Sequence, residues 1–318
     1  MAATVERYLS SLAYPAQPER LYSPIIYSME GGGKRLRPTL VLMACNAFSD
    51  DLQSVLPCAG AIEMFHNFTL LHDDIMDNAE VRHGKSTVHR RWDHNTAILS
   101  GDAMVVCSYK LLQEAPAKVL PEILREFNTM ALEVCEGQQY DIDFESRDLV
   151  SVDEYMDMIR LKTAVMFATA CKIGAMVGGA DAARSDILYR FGIELGLAYQ
   201  LQDDYLDTYG TTETLGKKIG GDIAESKKTF LTITALEKAD DDTRRAMLAT
   251  LRDNAMPLEQ KISRIRAIYN SVDVPAATFD AIDSRLCAAE AALGELNAEP
   301  VRIRPLKELI QTLRNRNK

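Results

Sequence analysis

The sequence predicts an all-α fold, a single large helical bundle spanning residues 1–318. Three observations predict it. Apolar residues recur at three- and four-residue intervals along most of the chain, the pattern of amphipathic helices. Glycine and proline are scarce for 318 residues, at 17 and 11, and they fall at the joints between the periodic stretches. Alternating runs bounded by turn dipeptides, which would signal strands, are essentially absent.

The elements follow in chain order. Pro15–Pro18 and Gly31–Gly33 punctuate the N-terminal segments, and Pro57 introduces a long apolar stretch, AIEMFHNFTLL. Residues 92–115 and 122–142 are periodic, with Pro116 and Pro121 between them. In residues 151–174, Val152, Tyr155, Met156, Ile159, Met166, Phe167 and Ala170 keep the helical spacing and predict one helix. Gly178–Gly179 precede a further helix over 182–207, and Gly220–Gly221, Pro257, Pro275 and Pro300 divide the remainder, where 276–295 is again periodic. No shift in composition marks a domain boundary. The last third is richer in charge and completes the bundle.

Composition excludes several functions. The chain carries 36 basic and 46 acidic residues, a net charge of −10, and no basic stripe of the kind a nucleic-acid binder shows. No apolar run reaches the roughly 18 residues of a membrane span. The start, MAATVERYLSSLAYP, lacks a basic flank followed by an apolar core, so it does not read as a secretory signal. Cys45, Cys58, Cys107, Cys135, Cys171 and Cys287 are widely spaced, with no CxxC pair, as in a reducing compartment. A cytoplasmic protein without stable membrane insertion is expected.

Chemistry concentrates in two echoes. LLHDDIMD at 70–77 returns as YQLQDDYLD at 199–207, each copy ending a long apolar helical stretch. The first and last aspartates of each DDxxD lie four apart, on one helical face, roughly 5–6 Å between Cβ atoms, where like charges repel. They also sit toward the negative end of the helix dipole. Oxygen-only ligands so placed suit a hard divalent ion such as Mg²⁺, shared with substrate phosphates. The acid spacing and central glycine of an EF-hand are missing, and zinc lacks Cys or His at ligand spacing. Cations for phosphate are supplied by GGGKRLRP at 31–38, with Lys34, Arg35 and Arg37, although no Walker-type GxxxxGK[ST] is present. Arg82, Lys162 beside Thr163, Lys217 and Lys218, and Lys227 and Lys228 are further candidates. Strong positive and negative halves together suit a diphosphate.

The set GGGKRLRP, EMFHNFTLLHDDIMD, VRHGKSTVH, GQQYD, KTA, YQLQDDYLD and GKKIGGDIAESKKTF resembles the trans-isoprenyl diphosphate synthases over about residues 30–231. Terpene cyclases share the fold and the first motif, but their second metal motif is of an Asn/Ser/Glu type. The second DDxxD here therefore favours a condensing enzyme over a cyclase. A non-catalytic partner subunit would be expected to lose one motif, and this chain keeps both.

The resemblance implies an isoprenoid-synthase bundle with a central cavity, acting as a homodimer. It implies Asp73, Asp77 and Asp203 as direct ligands of three Mg²⁺, with Asp74, Asp204 and Asp207 in support. The allylic diphosphate would be assisted by Arg82, Lys162, Lys227 and one of the adjacent Lys217 and Lys218. Isopentenyl diphosphate would be held by Lys34, Arg37 and His66, with Thr163, Gln200, Gln138 and Asp141 lining the space where the bond forms. The family usually has two arginines where this chain has Arg82 and His83, which implies a weaker, pH-dependent grip on isopentenyl diphosphate.

Helical spacing places Phe68 and Phe65 five and eight residues before Asp73, one to two turns below the motif. Position −4 is the small Thr69. A single aromatic at −5 resembles the synthases of twenty-carbon chains, so geranylgeranyl diphosphate is the expected product, with farnesyl diphosphate next.

Overall fold

A computed structural model describes residues 1–210, 219–253 and 255–316. The helices are α1 (Ala2–Ser10), α2 (Glu19–Met29), α3 (Leu36–Asn46), α4 (Leu56–Met76), α5 (Val88–Arg91), α6 (His94–Leu112), α7 (Leu120–Glu145) and α8 (Val152–Ile159). After a π-helical turn at Arg160–Ala164 come α9 (Val165–Val177), α10 (Ala182–Tyr209), α11 (Gly221–Ala224), α12 (Phe230–Lys238), α13 (Asp241–Arg252), α14 (Leu258–Ser271), α15 (Val274–Glu295) and α16 (Pro300–Asn315). The all-α expectation holds. Pro57, Pro121, Pro275 and Pro300 each fall in the first turn of a helix, where the missing amide has no intrahelical partner to lose.

Three local expectations are corrected. The predicted single helix over 151–174 is interrupted by the π turn. The helix expected over 92–115 begins at His94, because Asp93 Oδ1 accepts from the Thr96 amide at 2.8 Å and caps α6. Among the described residues, strand structure is confined to β1 (Val81–Arg82) and β2 (Lys85–Ser86), paired antiparallel. Their two-residue loop is His83-Gly84, with φ of 50° and 75°, the backbone a tight hairpin turn requires.

The described chain forms two compact units, each drawing on three separate stretches. One comprises Met1–Asn128, Phe167–Tyr189 and Glu295–Leu306. Its core is filled by Leu40, Leu42, Ile62, Met64, Phe65, Met104, Phe127 and Phe167, all buried. Within it α9 meets α3 closely: a Cβ on Gly174 would lie 2.2 Å from the Val41 carbonyl oxygen. The other unit comprises Thr129–Met166, Arg190–Gly294 and the residues from Lys307. Ile223, Leu231, Met247, Ile265 and Tyr269 form a core there, and the Tyr269 hydroxyl pairs with Thr232 Oγ1 at 2.8 Å. Gln202 Nε2 donates to the Leu313 carbonyl at 2.7 Å, tying the end of α16 to α10.

In the first unit one ion pair fixes the glycine loop that precedes α3. Arg35 takes a left-handed backbone (φ 46°) and turns its guanidinium inward. Nη1 donates to Glu63 Oε1 at 2.6 Å, Nε to Glu6 Oε2 at 3.0 Å, and Nη2 to the Met29 carbonyl. Arg35 and Glu63 side chains are each 5% exposed, and Asn67 Nδ2 donates to the Glu63 carboxylate at 3.2 Å. Of the basic cluster in GGGKRLRP, Arg35 is thus an internal strut. Glu63→Ala should lower unfolding stability by about 2–4 kcal/mol, since it leaves the buried guanidinium with only the half-exposed Glu6 carboxylate to balance its charge. Urea denaturation measures this, and a loss below about 1 kcal/mol would show that the pair is dispensable.

Candidate active site

In the first unit the acidic run ends α4. Asp73 and Asp74 lie in its last turn and Asp77 is its C-cap, so all three face the negative end of the helix dipole. Arg82, delivered by β1, spans two of them, with Nε donating to Asp74 Oδ1 at 2.6 Å and Nη2 to Asp73 Oδ2 at 3.3 Å. Burial pushes the Asp74 carboxyl up to about 6, partly offset by Arg82. The hairpin is itself anchored: Tyr27 donates to the Ser86 carbonyl at 2.8 Å, and Thr87 Oγ1 to the Ala79 carbonyl at 2.7 Å.

The basic groups of this unit gather around His66 and His83. Arg37 Nη1 meets His66 Nε2 at 3.1 Å, and its guanidinium lies 4.7 Å over the Phe167 ring. A guanidinium only donates, so His66 accepts at Nε2 and is neutral there. Burial, then the charge of Arg37, holds its pKa well below the usual imidazole value. Lys34 is exposed beside Gly33, and a Cβ on Gly33 would lie 3.5 Å from His83 Cε1. His83 therefore stands against the glycine loop. Desolvation, followed by Arg82, Arg35 and Lys34, lowers its pKa.

Below the aspartates, aromatic rings pack in series, Phe65 on Phe68 tilted and the other pairs edge to face. His72 meets Phe68 at 4.8 Å, Phe68 meets Phe65 at 5.2 Å, and Phe65 meets Phe127 at 5.3 Å. His72 Nε2 contacts the Ile98 carbonyl at 3.1 Å, and its ring fills the space that a Cβ on Gly101 would take. Gly101 thereby lets His72 fold onto α6 and brace Phe68 from above.

In the second unit, α10 carries Asp203, Asp204 and Asp207 near its C-terminal end. Arg316 Nη2 donates to Asp203 Oδ1 at 2.8 Å. Asp204 accepts from Gln200 Nε2 at 2.9 Å and from the buried Tyr155 hydroxyl. Asp207 is fully buried, and its Oδ2 accepts from the Asp222 amide at 2.9 Å, supporting the start of α11. The π turn presents Lys162, whose Nζ donates to Asp141 Oδ2 at 2.6 Å, and Thr163, whose hydroxyl donates to Gln200 Oε1 at 3.0 Å. Gln138 is half-buried on α7, one turn before Asp141. Lys227 Nζ pairs with Glu225 at 3.1 Å. Lys217 and Lys218 lie outside the described residues.

These donor sets fit a hard divalent cation. They are carboxylate oxygens, and in each unit guanidinium groups have already been drawn to them: Arg82 to Asp73 and Asp74, and Arg316 to Asp203. Among the described residues no three acidic, His or Cys side chains are gathered as a ready metal cage. The structure adds residues that the sequence reading did not single out for the site. Tyr155 belongs to an apolar stripe in the sequence, although a buried tyrosine hydroxyl requires a partner. Arg316 belongs to a basic tail, RNRNK, that carries no motif.

The polyprenyl synthetase family model matches residues 18–272. The chain belongs to the polyprenyl synthetase family. A geranylgeranyl diphosphate synthase of Methanosarcina mazei is 40% identical over 237 residues, 74% of this chain and 73% of the relative. A geranylfarnesyl diphosphate synthase of Natronomonas pharaonis is 40% identical over 243 residues, 71% of each chain. A crystal structure of a geranylgeranyl pyrophosphate synthase superposes with a TM-score of 0.94 at 40% identity, covering 98% of this chain and 97% of the other. The fold is that of these prenyl synthases. Polyprenyl synthetases join isopentenyl diphosphate to an allylic diphosphate, and the chain is a prenyltransferase of this short-chain group. Among the described residues, no helix is long and apolar enough to cross a membrane.

Proposed function

We propose that this polyprenyl synthetase is a geranylgeranyl diphosphate synthase, elongating an allylic diphosphate with isopentenyl diphosphate to a twenty-carbon product. The observation that carries the reading is the conjunction of two DDxxD runs with the Lys34, Arg37 and His66 group and the Phe68 ring five residues below Asp73. The similarity to synthases named for geranylgeranyl diphosphate supports it. A twenty-five-carbon product is the second reading, favoured by the equally similar geranylfarnesyl synthase.

Asp73, Asp77 and Asp203 are proposed to hold Mg²⁺, three ions per site, with Asp74, Asp204 and Asp207 keeping them in place. When bound, Mg²⁺ neutralises the leaving diphosphate so that the allylic C–O bond ionises. Arg82, Lys162 and Lys227 bind the same diphosphate, Lys162 aimed by Asp141. Thr163 gives its proton to Gln200, and the Gln200 amide is committed to Asp204, so the Thr163 lone pairs remain for the developing allylic cation. Lys34, Arg37 and neutral His66 hold isopentenyl diphosphate, whose double bond attacks that cation. A proton is then lost to the departing diphosphate. No nucleophilic side chain is required.

The six cysteines are free thiols, which supports a cytoplasmic location. We propose a second copy of the chain as partner, supported by the exposed apolar residues Ile98, Leu99 and Val106 on α6. The two units are read as one isoprenoid-synthase domain, because each interleaves three stretches of chain and the family match runs across both.

Two measurements test this reading. His83 titrates below the usual imidazole range, so at pH 7–8 it adds no charge and the KM for isopentenyl diphosphate should fall only as the pH drops below about 6.5. His83→Arg should lower that KM at neutral pH and flatten its pH dependence, whereas no change in either would make His83 a bystander. Labelled isopentenyl diphosphate given with each allylic primer should yield a dominant twenty-carbon diphosphate, and Phe68→Ala should lengthen it. A wild-type product of thirty carbons or more, or an unchanged length in the variant, would remove Phe68 as the floor.

A further inference from the structure

The π turn at Arg160–Ala164 is a costly conformation with no proline or glycine of its own to cause it. Two neighbouring helices of the same unit pack directly against it. On α7, a Cβ at Gly137 would stand 2.3 Å from the Lys162 nitrogen, 2.7 Å from the Lys162 Cα and 2.8 Å from the Leu161 carbonyl carbon. These are backbone atoms, so no change of rotamer relieves the clash. On α10, a Cβ at Gly196 would stand 2.6 Å from the Ala164 Cα, 2.9 Å from its Cβ and 3.3 Å from its oxygen. The turn is gripped at 161–162 from one side and at 164 from another, with Thr163 between.

Each gripping helix then repeats the contact one turn on. Asp141, four residues after Gly137, accepts from the Lys162 ammonium at 2.6 Å. Gln200, four residues after Gly196, accepts from the Thr163 hydroxyl at 3.0 Å. Positions i and i+4 share a helix face. So GQQYD on α7 and GLAYQ on α10 apply one device twice: a glycine that seats the backbone of the turn, and a polar side chain that takes the group the turn presents.

We propose that Gly137 and Gly196 are positioning residues for prenyl transfer, forming a glycine clamp that sets the depth and aim of Lys162 and Thr163. This rests on the reading that those two side chains act on the allylic diphosphate. An added methyl on either helix pushes the turn outward while Asp141 or Gln200 still holds the side chain, so the reacting groups lose alignment. A displacement near 1 Å at such a site lowers turnover by about 100-fold. The nearest atoms to the two glycines belong to Leu161, Lys162 and Ala164, not to the residues assigned to isopentenyl diphosphate.

The test compares wild type, Gly137→Ala, Gly196→Ala and Gly174→Ala, the last an equally tight helix contact against Val41 that meets no site residue. Steady-state kinetics with isopentenyl diphosphate and the best allylic primer are read together with thermal unfolding. The clamp predicts kcat down by about 100-fold in Gly137→Ala and Gly196→Ala, with KM for isopentenyl diphosphate within about twofold. Gly174→Ala should lose thermal stability at unchanged kcat per folded molecule. Adding Ala164→Gly to Gly196→Ala removes the 2.9 Å contact and leaves the 2.6 Å one, so kcat should recover by about tenfold without reaching wild type. The proposal is overturned if the two clamp variants lose no more kcat than Gly174→Ala, or if the double variant is as slow as Gly196→Ala. Should the single variants fail to fold, a double variant with wild-type kcat overturns it. Wild type that forms no longer diphosphate defeats the functional reading itself, whereas an active wild type with indifferent glycine variants defeats only the clamp.

Discussion

A carboxylate withdrawn from water must find a cation or a set of donors, and each aspartate run in this prenyltransferase is organised around that demand. At the end of α4 the helix dipole opposes Asp73, Asp74 and Asp77, and Arg82 is brought back by a hairpin to lie across two of them. On α10 the three carboxylates are satisfied in three ways. Asp203 meets the Arg316 guanidinium, Asp204 takes Gln200 and Tyr155, and Asp207 supports the amide of Asp222. The carboxylates assigned to metal are thus distinguishable by their partners. Asp73 and Asp203 each pair with an arginine, whereas Asp204 and Asp207 accept from neutral donors of the fold.

Supporting residues in both units work by the same division of labour. Arg35 is buried on Glu63 so that its neighbours Lys34 and Arg37 are left at the surface of the glycine loop and beside His66. Tyr155 orients Asp204, Asp204 orients Gln200, and Gln200 fixes which way the Thr163 proton points. Asp204 accepts from Tyr155 and Gln200 alike, and Gln200 accepts from Thr163, so the Thr163 hydrogen is committed to Gln200. On the proposed function, that leaves the hydroxyl oxygen rather than its hydrogen to face an electron-poor intermediate.

The long helices were legible because their apolar periodicity persists over several turns, and the aspartate runs because folding alone gives no reason for them. What escaped depends on contacts between segments distant in sequence. The π turn leaves no mark in RLKTA itself, and the close approach it makes to Gly137 and Gly196 joins segments far apart in the chain. The small hairpin escaped because His83, unlike Gly or Asn, does not announce a positive φ. Arg35 looked like one more phosphate ligand, since a run of basic residues does not reveal which of them turns inward. Tyr155 lay within the apolar stripe, its hydroxyl invisible to a pattern that counts hydrophobic surface.

On the proposed function, both aspartate runs serve one cation-dependent reaction. Turnover of Asp73→Ala and Asp203→Ala, measured at saturating Mg²⁺ alongside far-UV circular dichroism, tests it most directly. The account predicts that each variant loses at least about 100-fold in kcat while the helical spectrum is retained. Turnover within a few-fold of wild type in both variants would contradict it.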